Sequence, residues 1–131
     1  MSGIKDGNAA GQCAWYVPDC YYPEITTPGH YVSHEAICIL NTGKEDAILD
    51  ITLYFEDRDP MRNFKAVCPG ERTNHIRLDE LKDENGEGVP QGVPYAIMVR
   101  SDRPVIAQYS RLDTTQAEIG LMTTMAYALG N

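Results

Sequence analysis

Few residues in this chain are of types suited to chemistry, and several of them stand together. Ser33, His34 and Glu35 are consecutive, with an apolar run directly behind them. Serine, histidine and a carboxylate are the parts of a nucleophilic relay, which works only when the three side chains converge. Neighbouring residues on a strand point to opposite faces, so these three cannot form a relay with one another. His34 and His75 with Glu35 would offer two imidazoles and a carboxylate to a transition metal. Nothing in their spacing demands an ion, and ordinary strand histidines are the better account of them. No nucleophile elbow, phosphate loop or metalloprotease motif is present. The residues therefore favour a binding protein over an enzyme.

Two charged side chains fall where a β-sheet core would place apolar ones. Glu35 shares strand parity with Ile37 and Ile39, and Arg111 shares it with Val105, Ala107 and Tyr109. If buried, each needs a partner. One reading has them reach solvent at strand ends or pair with each other. The other makes them a polar cluster that orients a small ligand in a mostly apolar cleft. Trp15, the single tryptophan, has the same two readings: a core or interface anchor, or a stacking platform for a sugar ring or another flat ligand.

The elements that must position these residues are strands. Cys13 to Val17 reads as a strand stopped by Pro18, and residues 18–33, with three prolines and Gly29, read as a loop. His34 to Asn41 has strand length, and Asn41-Thr42-Gly43-Lys44 has turn chemistry. Leu49, Ile51, Leu53 and Phe55 then alternate with Asp50, Thr52, Tyr54 and Glu56. That period of two predicts a half-buried strand and, with the run before it, a β-hairpin. Residues 57–63 read as a loop, Phe64 to Cys68 and Arg72 to Leu78 as strands, and residues 79–94 as a long acidic loop. Tyr95 to Arg100 and Val105 to Leu112 read as two strands separated by a turn at residues 101–104. In the tail, Asp113 and Gln116 have the positions of a helix capping pair. Gly120 and the β-branched Thr123 and Thr124 argue instead for a last strand from about Ala117 to Tyr127. Seven to eight short strands with turns between them predict an all-β chain, a single-domain antiparallel β-sandwich. Residues 1–12, polar and glycine-rich, read as a flexible leader ahead of a domain spanning 13–131.

The chain has 131 residues and a formal net charge of −8. That sign repels phosphate backbones and anionic membrane surfaces, so nucleic acid and lipid are poor partners. Cys13, Cys20, Cys38 and Cys68 form no CxxC pair, and Cys38 and Cys68 sit in apolar runs as small buried hydrophobes. No signal peptide or apolar span of membrane length is visible. These features predict a reduced, cytoplasmic protein with no cofactor and no metal, although a Cys13–Cys20 bridge is conceivable.

Several segments, taken in order, resemble the sensory rhodopsin transducer family. They are Cys13-Ala14-Trp15, then Ser33 through Gly43, then Asp50-Ile51-Thr52-Leu53-Tyr54-Phe55. They continue with Arg72-Thr73-Asn74-His75-Ile76-Arg77 and with Arg111 through Glu118, running on to Met125-Ala126-Tyr127. The resemblance implies a β-sandwich assembled as a homotetramer. It implies a non-enzymatic module that binds a small, sugar-like molecule or docks on a membrane receptor such as a sensory rhodopsin. Matching positions for a ligand site are Trp15, His34, Glu35, His75, Arg77, Gln108, Arg111, Asp113 and Gln116. In the docking alternative there is no ligand, and Tyr21, Tyr22 and Tyr31 are interface anchors, since tyrosine is favoured at hot spots.

Overall fold

In the third strand the period of two has its expected effect except at Thr52, which belongs to the wetter set yet is only 4% exposed. Leu49, Ile51 and Leu53 are fully buried, while Tyr54 is exposed. The computed structural model describes residues 9–24, 28–29, 32–116 and 118–130. Most of the expected leader and Tyr31 therefore lie outside the described residues. The strands are β1 (Gln12–Tyr21), β2 (His34–Asn41), β3 (Ala47–Phe55), β4 (Met61–Cys68), β5 (Arg72–Arg77), β6 (Pro94–Asp113), β7 (Gly120–Met125) and β8 (Tyr127–Leu129). All their pairings are antiparallel. The all-β architecture is the one expected.

The strands form two sheets that share β6. The first runs β4-β3-β6-β1-β8, and the second runs β5-β2-β6-β7. The N-terminal half of β6 pairs with β1 and β3, and its C-terminal half pairs with β2 and β7. The core lies between the two inner faces. Ile37, Ile39, Ala107 and Tyr109 from the second sheet meet Leu49, Ile51, Ile97 and Val99 from the first.

The two strands expected at residues 95–100 and 105–112 are in fact one strand of 20 residues. Residues 101–104 are not a reversal but the corner where β6 leaves the first sheet and enters the second, a known way of closing a sandwich. Between the pairs Gln12↔Val105 and Ala14↔Arg100, β6 carries three more residues than β1. Ser101 Oγ accepts from the Arg103 amide at 3.2 Å, and Asp102 Oδ1 accepts from the Ile48 amide at 2.7 Å. The turn-type residues thus satisfy backbone donors at a bend while the chain runs on.

β1 also passes through its expected stop. Its pairing with β6 slips by one residue between Val17 and Cys20, and Pro18 and Asp19 are exposed there. Proline has no N–H to give a ladder, and a bulge is where a strand tolerates it. Residues 18–21 therefore belong to a strand rather than to the expected loop. β4 starts at Met61, earlier than the expected Phe64. The tail is strand, as expected, but broken at Ala126, whose amide donates to the Ala107 carbonyl at 3.3 Å. β7 completes the second sheet and β8 the first, so the tail switches sheets as β6 does.

Candidate functional site

Glu35 is the most deeply buried charged side chain among the described residues, at 1% exposure. Its Oε1 accepts from the Tyr95 hydroxyl at 2.6 Å. Its Oε2 accepts from the Tyr109 hydroxyl and, at 2.9 Å, from the Tyr21 amide. The two tyrosines come from opposite halves of β6, so the sheet switch brings both phenols to one carboxylate. Cys20, fully buried on β1, belongs to the same cluster. Burial pushes the Glu35 carboxyl up from the usual range, and the donors from Tyr109, Tyr95 and Tyr21 offset part of that push. Burial and then the Glu35 charge push both phenols and the Cys20 thiol up, which keeps the thiol protonated and poorly nucleophilic. The cluster is a closed set of donors around an acceptor.

Arg111 stands opposite Glu35 in the β2–β6 register. Its guanidinium lies 6.0 Å from the centroid of the Tyr109 ring, and Nη2 is 4.0 Å from Asp19 Oδ2. Arg111 therefore borders the cluster from its more exposed side.

The other expected residues fall elsewhere. His34, His75, Arg77 and Gln108 have the opposite strand parity and occupy the outer face of the second sheet. His34 Nδ1 is 2.9 Å from the Val32 carbonyl oxygen, and Gln108 donates to Thr123 Oγ1 at 2.9 Å. Arg77 makes a two-pronged pair with Asp79, both bonds 2.7 Å. Burial alone would raise the Asp79 carboxyl, but the bonds and charge of Arg77 outweigh it and hold the group below its usual range. His75 is exposed. Asp113, at the end of β6, accepts from the Thr115 amide at 2.9 Å, and Gln116 is exposed beyond it. Trp15 is buried between the sheets, its indole N–H shared between the carbonyls of Val105 at 2.9 Å and Gln12 at 3.0 Å. In this structure it is a core anchor rather than an open platform. Among the described residues no group of three or more His, Cys, Asp and Glu side chains is placed to hold a metal.

The structure thus joins Glu35 with Arg111, gathers four polar residues on a different face, and separates both sets from Trp15. Sequence reasoning missed Tyr95 and Tyr109 as the partners of Glu35. A signal was present: each phenol lies on a strand face with apolar neighbours, Tyr95 with Ile97 and Val99, Tyr109 with Val105 and Ala107. A buried hydroxyl there needs a partner as much as a carboxylate does.

A second feature lies at the tail. Every residue of β7 is exposed. Ile119, Leu121, Met122, Met125, Tyr127 and Leu129 leave between 38% and 74% of their surface uncovered.

Comparison with known proteins gives three results. Residues 10–128 match the family model described as Anabaena sensory rhodopsin transducer. The crystal structure of Thermotoga maritima 1070 is similar at 39% identity and a TM-score of 0.81, covering 91% of this chain and 96% of that one. The Anabaena sensory rhodopsin transducer is similar at 32% identity and a TM-score of 0.71, covering 83% of this chain and 95% of that one. No curated protein sequence matches.

Proposed function

This chain belongs to the Anabaena sensory rhodopsin transducer family, and on that premise we propose that it is a non-enzymatic signalling module acting by surface docking in the cytoplasm. It assembles as a homotetramer and docks on a membrane photoreceptor of the sensory rhodopsin type. The observation that carries this reading is the apolar segment 119–129. Leu121 and Tyr127 are 74% and 67% exposed on edge strands. An uncovered apolar edge is a liability unless a partner covers it. The closed state of the Glu35 cluster points the same way, since its carboxylate is 1% exposed and held by three donors inside the fold.

The test is native mass spectrometry of the full chain and of Leu121→Asp, followed by co-sedimentation with vesicles containing a sensory rhodopsin. The reading expects a tetramer that Leu121→Asp dissociates, and retention on rhodopsin vesicles but not on empty ones. A monomeric wild type that rhodopsin vesicles fail to retain overturns it.

A second reading is favoured by one observation. His34, His75, Arg77 and Gln108 share one outer sheet face, which suits a polar, sugar-like ligand. Ligand that binds only the folded state stabilises it by about 2.7 kcal/mol at a hundred times Kd. A thermal-shift screen against sugars, repeated with Gln108→Ala, tests it. A blank screen removes this reading and leaves the docking one intact.

A further inference from the structure

We propose that the outer face of the first sheet carries a site for a small organic anion bearing a ring, its acid group held by Arg62 and Arg100. This goes beyond the docking reading, and neither arginine is among the residues invoked for it, although Leu129 of the docking segment stands in the wall of the adjoining space.

A groove of about 440 Å³ opens on that face, within the usual range for small-molecule sites. The register explains its shape. Tyr16, Met98 and Thr52 form one row across β1, β6 and β3, and Ala14, Arg100 and Asp50 form the next. Thr52 is short and 4% exposed, so it lies low beneath the tall neighbours Tyr16 and Tyr54. Beyond Arg100 the depression continues into a second space of about 450 Å³ over Ala14, which also has Tyr16 and Arg100 in its wall.

The charge of the groove sets the ligand class. Arg62 and Arg100 line it, and among the described residues neither has a carboxylate within ion-pair distance. Asp50 also lines it, but its carboxylate is engaged by Lys65 at 3.2 Å. A chain with net charge −8 thus holds two guanidiniums over one hollow with no carboxylate, among the described residues, at ion-pair distance. Guanidinium recognises carboxylate and phosphate through paired, charge-assisted bonds. The tyrosines and Met98 give a ring an apolar surface to lie on.

The experiment is a titration of the ¹⁵N-labelled full chain with phenyl phosphate, benzoate and the uncharged benzamide, followed by amide chemical shifts. The proposal expects saturable shifts at Tyr16, Thr52, Met98 and Arg100 with at least one of the two acids. It expects Arg62→Gln and Arg100→Gln, both at exposed positions, each to weaken that binding by about tenfold, the loss of one charge-assisted contact. Response to phenyl phosphate alone assigns a phosphorylated ligand, and response to benzoate alone a carboxylate. The proposal is overturned if neither acid gives saturable shifts at these amides, or if the shifts gather on the second sheet. It is also overturned if benzamide binds as well as the acids, or if both arginine variants bind as the wild type does.

Discussion

Glu35 and Arg111 face each other across β2 and β6, yet the guanidinium is not among the hydrogen-bond partners of the carboxylate in the described residues. It accepts from two phenols and a backbone amide, while Arg111 rests over the ring of one of those phenols. A buried carboxylate satisfied by neutral donors avoids the cost of desolvating a second full charge. It also ties three strands to one point: Tyr21 of β1, Glu35 of β2 and both halves of β6. The cluster is thus a clasp at the end of the sandwich.

The clasp makes stability depend on pH with a definite sign. Burial first, offset in part by the tyrosine donors, leaves the Glu35 carboxyl above its unfolded range. The folded state therefore holds this proton more tightly than the unfolded one. Its contribution is fully present below the usual glutamate range and is lost as pH rises through the folded value. Asp79 and Asp113 are shifted the other way, so the effect is isolated by subtracting Glu35→Gln. The unfolding free energy of wild type minus variant, from urea titrations at a series of pH values, should fall as pH rises. A flat or rising difference would show that Glu35 is not raised.

Removing one donor should shift the same carboxyl further. Tyr95→Phe deletes the 2.6 Å bond to Oε1 while keeping the ring. A hydrogen bond to a charged group contributes about 1.5–3 kcal/mol, so the variant should lose about that much at pH values where Glu35 is ionised. Because the bond lowers the Glu35 value, its loss should raise that value, read from the carboxyl ¹³C shift of labelled glutamate. An unchanged titration would mean that the phenol does not serve the carboxylate.

These relationships show where the sequence was legible. Strand parity alone put Glu35 and Arg111 on the inner face, and the alternation from Leu49 to Leu53 identified a half-buried strand. Asn41 and Gly43 announced their turn, where Asn41 Oδ1 accepts from the Gly43 amide at 2.9 Å. Ser101-Asp102-Arg103-Pro104 carries the same local chemistry but serves a corner, because a bend between sheets needs the same donors satisfied as a reversal does. Pro18 was misread for a similar reason, since a bulge tolerates it as well as a strand end. The partners of Glu35 were hidden by distance along the chain. Tyr95 is 60 residues away, and parity says which way a side chain points but not what stands opposite.

Trp15 offers a test between packing and recognition. Its indole donates to the buried Val105 carbonyl and the part-buried Gln12 carbonyl, so Trp15→Phe should cost about 1–3 kcal/mol by removing the donor that serves them. Trp15→Ala should cost about 3–5 kcal/mol through the cavity it opens. Circular dichroism must follow the unfolding, because Trp15 is the single tryptophan. A Trp15→Phe variant as stable as wild type would return the residue to the role of a stacking platform.

The four thiols should separate by burial when the folded protein meets an alkylating reagent. Cys20 and Cys68 are fully buried, and Cys13 and Cys38 are half-buried. Burial, then the Glu35 charge, pushes the Cys20 thiol up, and burial also raises Cys38 and Cys68. Alkylation requires both access and thiolate. Iodoacetamide followed by peptide mass spectrometry should therefore label Cys13 and Cys38 first. Cys20 should be labelled only as fast as the clasp opens, and Tyr95→Phe should speed that labelling without changing the rate at Cys13. Equal labelling of Cys20 and Cys13 in the wild type would mean that this end of the sandwich is open. In that case Glu35 and Arg111 would line an accessible cleft rather than a closed one.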